Sequence, residues 1–368
     1  MAKIGIICDR EFLDPIDQRV YKSAVTMAEA GYEVEILTPH HTTQKTSINN
    51  IIIRCFSTKG PPGMVSFRLI KEALNGNYDL YYCHEFDPLL YGFLLKKLTR
   101  KPIIWDCHEY LIPMKRELQG NLAATFAGIV LEIVAPRLDH IITVDNDLGR
   151  QLSKYNKVTV LPNYPNLKYF DSSLNKNIKS KNEIIYVGSL TRKRGLKIML
   201  QTMKLVREEK DIKLTIVGGF EDSELERWAM EYDKKHNLCT NWKGWVEYTQ
   251  LAPLISKANL GLSLLQNDTG KIEDRYGRGF PTKVFEYLMM KTPLICHNNP
   301  DVEKILNLGK CGKCVDPSDI EEIANCIIQL FEDGKLEEMG ENGRKFVIDK
   351  FTWERNETEL VKIIKKLT

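Results

Sequence analysis

The stretch Glu183–Leu196, EIIYVGSLTRKRGL, carries the pattern that decides the fold. An apolar strand, Glu183–Val187, turns through Gly188 into the cations Arg192–Arg194, and a helical pattern begins after Gly195. A buried strand that turns directly into a helix is the repeating unit of a parallel α/β sheet. Free N–H groups at the helix start, together with three cations, predict a diphosphate site. The alternative is a solvated basic loop, but the position at the end of a sheet strand favours the site.

The same alternation of apolar strands and amphipathic helices extends through both halves of the chain. Near-continuous apolar strands separated by helices, such as Arg19–Ala30, indicate a parallel sheet covered on both faces. The first half is predicted to contain strands at Lys3–Cys8, Glu33–Leu37, Ile51–Phe56, Leu80–Cys83, Ile103–Asp106, Ile141–Val144 and Val158–Leu161. The second half is predicted to contain strands at Glu183–Val187, Leu214–Val217, Trp242–Trp245, Leu260–Leu265 and Leu294–Cys296.

The alternation stops between Asn163 and Asn182, a segment rich in Asn, Lys and Ser that we interpret as a linker. The sequence therefore predicts an α/β fold with two doubly wound, Rossmann-like domains, residues 1–163 and 183–351, joined by residues 164–182. Residues 318–368 read as helical, and the last helix, 352–368, is predicted to pack back on the first domain. Ligands of such sheets bind at the carboxyl ends of the strands, so we expect a cleft between the domains to hold the substrates.

Composition excludes several classes of protein. A net charge of +3 on 368 residues is too small to indicate nucleic-acid binding. Nine cysteines, an odd number, and an N-terminus that runs straight into a strand predict a reducing cytoplasm. We interpret Cys311–Cys314 as two thiols in a turn, because structural zinc needs about four ligands. The apolar run Leu122–Leu131 is too short to span a membrane; a buried helix is favoured over a membrane-docking face.

A second motif, Gly279–Tyr287, predicts a helix entered through Pro281. Glu286 would lie in its second turn, too deep to cap the helix, where a carboxylate can accept two hydrogen bonds from a ribose diol. The alternative for Glu286 is an ordinary exposed helix residue.

A third cluster, Trp105–Tyr110, follows a strand of the first domain. His108 could bind a substrate hydroxyl or transfer a proton, or it could be a structural histidine with satisfied hydrogen bonds. His84 and Glu85, after the preceding strand, form a similar pair in reserve.

Taken in order along the chain, these motifs resemble glycosyltransferase family 4, retaining enzymes of the GT-B fold. The resemblance extends nearly end to end, over Arg19–Thr38, Asp106–Glu109, Leu161–Asn163, Gly188–Gly195, Val217–Gly219, Lys243–Trp245, Phe280–Leu288 and Phe351–Glu354.

The resemblance implies roles for individual residues. Arg194 is similar to a phosphate-binding cation and His108 to a histidine beside the reacting sugar, and both are implied to be catalytic. Ser189 and Arg278 stand where the family has an Arg and a Glu, and Arg278 could select an acidic donor sugar. The donor-binding residues implied are Gly188, Ser189, Arg192, Lys193, Arg194, Arg278, Phe280, Pro281, Thr282, Lys283 and Glu286. The acceptor-side candidates are Asp14, Asp17, His84, Asp106 and Glu109. The chain departs from the family after the first strand, where Asp9–Asp17 replaces a glycine-rich loop.

The expected function is retaining transfer of a sugar from a nucleoside-diphosphate sugar to a hydroxyl of a glycan or lipid-linked glycan. The cations predict a metal-independent reaction with no cofactor beyond the donor, which is a co-substrate. The protein is expected in the cytoplasm, with contact to the inner membrane face left open. A sugar-nucleotide 2-epimerase of the same fold and a non-catalytic nucleotide- or glycan-binding protein remain alternatives. A dinucleotide oxidoreductase is disfavoured, because no GxGxxG motif follows a strand.

Overall fold

The computed structural model describes residues 1–13, 16–61, 63–174, 179–266 and 282–368. These residues form two compact units. The first unit contains residues 1–163 and 353–368, and the second contains residues 164–352.

The elements before residue 163 alternate as the sequence predicts, and the prediction of a parallel α/β fold is confirmed. They are β1 (Lys3–Ile7), α1 (Gln18–Glu29), β2 (Glu33–His40), β3 (Gln44–Ile48), β4 (Ile51–Ser57), α2 (Met64–Asn75), β5 (Leu80–His84), α3 (Phe86–Thr99), β6 (Ile103–Cys107), α4 (Leu111–Val134), β7 (His140–Thr143), α5 (Asn146–Leu152) and β8 (Val158–Val160).

The sheet of the first unit has the order β3-β4-β2-β1-β5-β6-β7-β8. All of its neighbouring strands are parallel except β3, which runs antiparallel to β4. Chain direction across the sheet reverses between β1 and β5, and their carboxyl ends form the crevice where ligands of doubly wound sheets bind. The edge strand β3 is mostly exposed and polar, and the sequence analysis did not predict it.

The remaining elements repeat the pattern. They are α6 (Leu167–Leu174), β9 (Glu183–Val187), α7 (Leu196–Glu209), β10 (Lys213–Val217), α8 (Ser223–His236), β11 (Asn241–Trp242), α9 (Tyr248–Lys257), β12 (Leu260–Ser263), α10 (Thr282–Met289), β13 (Leu294–His297), α11 (Pro300–Gly309), β14 (Gly312–Val315), α12 (Ile320–Glu332), α13 (Leu336–Lys350) and α14 (Trp353–Leu367).

The sheet of the second unit is parallel throughout, in the order β11-β10-β9-β12-β13-β14, and its direction reverses between β9 and β12. Two local predictions were wrong. The segment predicted as a linker contains α6, whose Phe170 is buried with its ring centroid 5.8 Å from that of Tyr248. Cys314 lies on strand β14, not in a turn, and it and Cys311 are free thiols.

Helix α14 belongs to the first unit. Trp353 is buried and donates a hydrogen bond from Nε1 to Thr26 Oγ1 at 3.0 Å, and Asn356 donates to the Pro162 carbonyl at 2.7 Å. The first unit is therefore completed by residues that follow the second unit in sequence.

Helix α4 is buried on one side only. The run Leu122–Leu131, expected to be too short to span a membrane, lies within the longer helical segment Leu111–Arg137, which by length and composition is apolar enough to cross one. The mean hydropathy of that segment is 1.5, and a third of its most apolar stretch is buried. Gly120 interrupts it with φ 86° and ψ 178°. The burial expected for Leu122–Leu131 holds for residues such as Ala127 and Leu131, whereas Phe126 and Ile129 on the other side are exposed.

Candidate functional site

The diphosphate site predicted in the second unit lies where β9 ends, at the reversal between β9 and β12. Gly188 has φ 138°, and a methyl group added to it would lie 2.0 Å from Lys283 Nζ and 3.2 Å from an Arg194 nitrogen. Gly195 precedes α7 with φ 78°, and a methyl group there would lie 2.2 Å from the Leu264 carbonyl oxygen. Glycine suits both positions, because both have positive φ and because a side chain would enter the space of the cations at Gly188 and clash with the Leu264 backbone at Gly195.

Two cations from distant segments meet at this turn. Lys283 lies on α10, and its Nζ is 5.0 Å from the ring centroid of Tyr186 at the end of β9. Burial, and then the neighbouring Arg194, lower the pKa of Lys283 to about 7, while Glu286 opposes the shift. A bound anion would restore the ordinary charge of this lysine, so the pair is suited to a phosphate group.

Glu286 lies one turn after Lys283 on the buried side of α10. Only 7% of its surface is exposed, which excludes the ordinary exposed helix residue. Its carboxylate accepts a hydrogen bond from the Tyr248 hydroxyl, and burial together with this carboxylate raises the pKa of Tyr248. Ribose recognition by Glu286 stays a prediction.

The other cations of the turn have different surroundings. Arg192 forms ion pairs with two carboxylates: its Nη1 lies 2.6 Å from Asp222 Oδ2, and its Nη2 lies 3.5 Å from Glu224 Oε2. Lys193 and Ser189 are exposed. The structure therefore brings Arg194 and Lys283, but not Arg192, to the glycine turn. Asp14, Arg278, Phe280 and Pro281 lie outside the described residues, and Thr282 begins the described part of α10.

The acceptor-side cluster predicted in the first unit is organised by a buried ion pair. Arg19, 3% exposed, donates from Nε and Nη2 to Asp106, 0% exposed, at 2.8–3.0 Å, and from Nη1 to the Leu161 carbonyl at 2.9 Å. Tyr82 donates its hydroxyl to the same carboxylate at 2.7 Å. Burial opposes ionisation of Asp106, but Arg19 prevails and lowers its pKa to about 2. The carboxylate is therefore an ionised anchor and not a proton donor.

The two histidines lie beside the Asp106 carboxylate. His84 Nδ1 is 3.8 Å from Asp106 and 3.4 Å from His108 Nε2, and the other ring nitrogen of His108, Nδ1, is 2.5 Å from Glu85 Oε1. Burial lowers the pKa of His84 to about 4, so this ring is neutral at pH 7. Burial also disfavours a charged His108, but Glu85 prevails and raises its pKa. The pKa values of the two rings are thus shifted in opposite directions, and His108 is the one poised to carry a proton.

Carboxylates surround the histidines in a cavity of about 200 Å³. Burial and then Glu85 raise the pKa of Asp9 to about 7, and the same two causes raise the pKa of Glu109. Asp17 caps α1 by accepting from the Arg19 and Val20 N–H groups at 2.9 and 3.0 Å. Its carboxylate is committed to the helix, although it lines the cavity.

Metal binding is disfavoured at this cluster. His84, Asp106 and His108 offer ligand atoms within 4.8 Å of one another, but Arg19 already places a positive charge on Asp106. An Asp-x-Asp triplet, Asp145–Asp147, is also engaged, because Asp145 caps α5 through the Leu148 N–H and Asp147 pairs with Arg150.

Sequence reasoning missed several residues that shape the two sites. They are Asp9, Arg19, Tyr82 and Tyr248, and Glu85 as the partner of His108. Asp9, two residues after the end of β1, could have been found from the rule that ligands bind at the carboxyl ends of strands. Arg19 gave no local signal, because its partner lies 87 residues away.

Solved structures share this fold over the whole chain. Sucrose-phosphate synthase from Thermosynechococcus elongatus has a TM-score of 0.77 at 19% identity, covering 100% of this chain and 99% of that one. Anabaena HepE in complex with UDP-glucose has a TM-score of 0.73 at 12% identity over 100% of both chains. Two Rossmann-like units with mainly parallel sheets, matched end to end by these structures, define the GT-B fold.

The family follows from matches to both halves. The model for Glycosyltransferase Family 4 matches residues 17–168, and the model for Glycosyl transferases group 1 matches residues 171–346. The chain belongs to glycosyltransferase family 4, as the resemblance implied. Among curated relatives, the MMP α-(1→4)-mannosyltransferase of Mycolicibacterium hassiacum is 22% identical over 100% of this chain and 92% of its own length. The capsular polysaccharide biosynthesis glycosyltransferase CapM of Staphylococcus aureus is 26% identical over 64% of this chain and 62% of its own.

Proposed function

We propose that this glycosyltransferase moves a hexose from a nucleoside-diphosphate sugar to a hydroxyl of a glycan or lipid-linked glycan, with retention of anomeric configuration. The observation that carries the proposal is the convergence of Arg194 and Lys283 at the Gly188 turn, beside the buried carboxylate of Glu286. The complex of HepE with UDP-glucose and the mannosyltransferase relative support the donor class.

The chemistry follows from where charge develops. As the bond from the sugar to the diphosphate breaks, negative charge grows on the leaving phosphate, and Arg194 and Lys283 stabilise it. With the diphosphate bound, these two positive charges take the place of a metal ion. The leaving phosphate then accepts the proton of the acceptor hydroxyl, which attacks from the same face of the sugar. Asp106 is held by Arg19 and is unsuited to act as a nucleophile.

A thermal-shift panel of UDP, GDP, ADP and CMP tests the nucleotide site. A nucleotide at about 100 times its Kd should stabilise the protein by roughly 2.7 kcal/mol. Lys283→Met should abolish the shift, whereas Lys291→Met, which removes a partly exposed lysine paired with Glu341, should leave it unchanged. A thermal shift that survives in Lys283→Met would contradict the site.

Product analysis then separates the alternatives. Incubation of the donor without acceptor would yield an epimerised nucleotide sugar from a 2-epimerase, whereas a transferase yields a new glycoside only when acceptor is present. Nucleotide binding without turnover across acceptors would indicate a non-catalytic protein. Transfer should persist in EDTA, and its complete loss with recovery on adding magnesium would contradict metal independence.

We also propose that the protein works in the cytoplasm, in peripheral contact with the inner membrane face. All nine cysteines are free thiols, as a reducing compartment allows. Among the described residues, nine of thirteen exposed large hydrophobic side chains lie on the neighbouring helices α2, α3 and α4. We call this surface the apolar face. It comprises Phe67, Leu74, Leu94, Leu98, Leu118, Leu122, Phe126, Ile129 and Ile133.

Cations at the ends of these helices favour an anionic bilayer as the surface that covers the apolar face. Lys97 and Arg100 lie at the end of α3, and Lys115, Arg116 and Arg137 flank the exposed stripe of α4. Apolar side chains with flanking Lys and Arg are typical of helices that lie in the membrane interface.

Vesicle sedimentation tests this contact. The protein should sediment with vesicles of phosphatidylcholine and phosphatidylglycerol, and less with phosphatidylcholine alone. Phe126→Asp combined with Ile129→Asp should release it, whereas Leu308→Asp, on an exposed leucine of the second unit, should not. Equal sedimentation of the double variant would contradict the contact. A wild-type dimer that the double variant converts to a monomer would assign the face to a second copy instead.

A further inference from the structure

Glu85, which directly follows β5, has a backbone conformation that suits glycine. Its φ of 67° and ψ of −165° belong to a region that only glycine adopts routinely. Both backbone groups of Glu85 are bonded to β6: its N–H donates to the Asp106 carbonyl at 3.0 Å, and its carbonyl accepts from Trp105 Nε1 at 2.7 Å. Glycine would form the same two bonds without strain, so the backbone does not explain why a glutamate stands here.

The Glu85 side chain is directed at His108 and not at the helix that follows. Glu85 is the N-cap residue of α3, yet its side chain accepts no capping hydrogen bond. Its Oε1 lies 2.5 Å from His108 Nδ1, and its Oε2 has no hydrogen-bond partner among the residues that the structure describes. The contact with His108 is therefore what the carboxylate contributes at this strained position.

The other nitrogen of the His108 ring also faces the protein. Nε2 lies 3.4 Å from His84 Nδ1 and 3.9 Å from Asp106 Oδ1. Burial lowers the pKa of His84 to about 4, so that ring is neutral and can accept a hydrogen bond. A histidine that donates from both nitrogens is doubly protonated. A general base needs a lone pair directed at the substrate, and in this arrangement neither nitrogen of His108 offers one.

The charges around the His108 ring favour the doubly protonated form. Burial opposes it, but Glu85 and then Asp106 outweigh burial and raise the pKa of His108, while Arg19 acts against them. Four of the five other charged residues that line the same cavity are acidic; the five are Asp9, Arg10, Glu11, Asp17 and Glu109. The carboxylate closest to the ring, that of Glu85, makes the largest favourable contribution.

We propose that Glu85 is a positioning residue, whose carboxylate holds His108 as a doubly protonated ring in the one orientation that supports sugar transfer. When the ring loses a proton, it loses one of the two hydrogen bonds that fix it, so turnover should fall as pH rises. A general base would show the opposite dependence, with turnover falling as pH falls. The effect on turnover rests on the proposed function, whereas the protonation state of His108 does not.

NMR of the full chain with ¹⁵N-labelled histidine tests the protonation state, with His108→Ala used to assign the signals. At a pH of about 6.5, the ordinary midpoint of a histidine, wild-type His108 should be mostly doubly protonated. In Glu85→Gln the nearest carboxylate no longer opposes burial, so the ring should be mostly neutral at the same pH. Glu132→Gln, at an exposed carboxylate of the same unit, should leave the His108 signals unchanged.

The pH profile of kcat at saturating donor and acceptor tests the positioning. Glu85→Gln should approach the wild type near about pH 6, where the ring regains its proton, and should lose up to roughly 100-fold as pH rises to about 8. Asp9 titrates in the same range, because burial and then Glu85 raise its pKa to about 7. The fall of kcat at high pH should therefore persist in Asp9→Asn.

Glu85→Gly provides a second variant if Glu85→Gln fails to fold, because glycine suits this backbone. It should show the same neutral His108 ring and the same fall of kcat. A singly protonated His108 in the wild type, an unchanged ring titration in a folded Glu85 variant, or a loss of kcat that is the same at every pH would each overturn the proposal. A ring that is doubly protonated only when Glu85 is present, in a protein that transfers no sugar, would count against the proposed function alone.

Discussion

Replacing Arg19 with methionine should destabilise the first unit, because it leaves a fully buried carboxylate without its cation. Asp106 is 0% exposed, and Arg19 contributes three hydrogen bonds to it and one to the Leu161 carbonyl. Removing one partner of a buried pair costs about 3–5 kcal/mol. For a unit of this size, a change of 1 kcal/mol shifts Tm by roughly 2–4 °C, so Arg19→Met should lower Tm by roughly 6–20 °C.

The loss should depend on pH in a defined direction. In the wild type the pKa of Asp106 is lowered to about 2, so its contribution is complete above the ordinary pKa and is lost only in strong acid. Without Arg19, burial raises the pKa of Asp106 instead, and the penalty grows as pH rises above about 4. The Tm difference between wild type and variant should therefore be larger at pH 8 than at pH 5.

A matched set of variants isolates the charge. Asp106→Asn should recover about 1–3 kcal/mol in the Arg19→Met background, since it removes the uncompensated charge. Arg227→Met, at an exposed arginine of the second unit, should change stability by less than about 0.5 kcal/mol. Calorimetry and circular dichroism measure both. If Arg19→Met melts like the wild type, or if Asp106→Asn destabilises it further, the reasoning is refuted.

Three predictions concern the substrates. Glu286→Gln should weaken nucleotide binding by roughly 10- to 150-fold, because an amide has one oxygen acceptor where a carboxylate has two; a 2′,3′-dideoxynucleotide should bind both forms alike, and equal binding of the normal nucleotide would make Glu286 structural. His108→Ala should reduce turnover by roughly 100-fold, as expected for the loss of a group that stabilises the transition state. The nucleotide Kd should change little, because His108 lies in the first unit; a parallel fall in nucleotide affinity would contradict the assignment. At pH 8 nucleotide binding should take up protons, because Lys283, with its pKa lowered to about 7, is mostly neutral until a diphosphate restores its charge; calorimetry in buffers of different ionisation enthalpy should detect the uptake in the wild type and not in Lys283→Met.

The sheets could be predicted because their strands are buried on both faces. Runs such as Ile4–Ile7 and Ile184–Val187 are apolar at nearly every position, which is typical of parallel strands covered by helices. Strand β3 gave no such signal, because it lies at an exposed edge and its residues are polar. The segment around Phe170 was predicted as a linker because its polar composition outweighed a single buried aromatic residue.

The sites were predictable only in part, because their contacts are long-range. The glycine turn at Gly188 and its neighbouring cations are local and stood out in the sequence. The ion pair between Arg192 and Asp222 could not be predicted from either local sequence, because the two residues are 30 positions apart. Arg19 resembled an ordinary charge in the first turn of a helix, and only the folded sheet places it against Asp106.

The return of α14 to the first unit sets the order in which a growing chain can fold. A ribosome makes residues 1–163 first, yet the surface of α1 that Trp353 covers stays open until residues 353–368 emerge. At about 5–20 residues per second, the intervening residues take roughly 10–40 s to synthesise. The second unit is contiguous and can close during that interval, so the half of the protein that is translated first is the last to be finished.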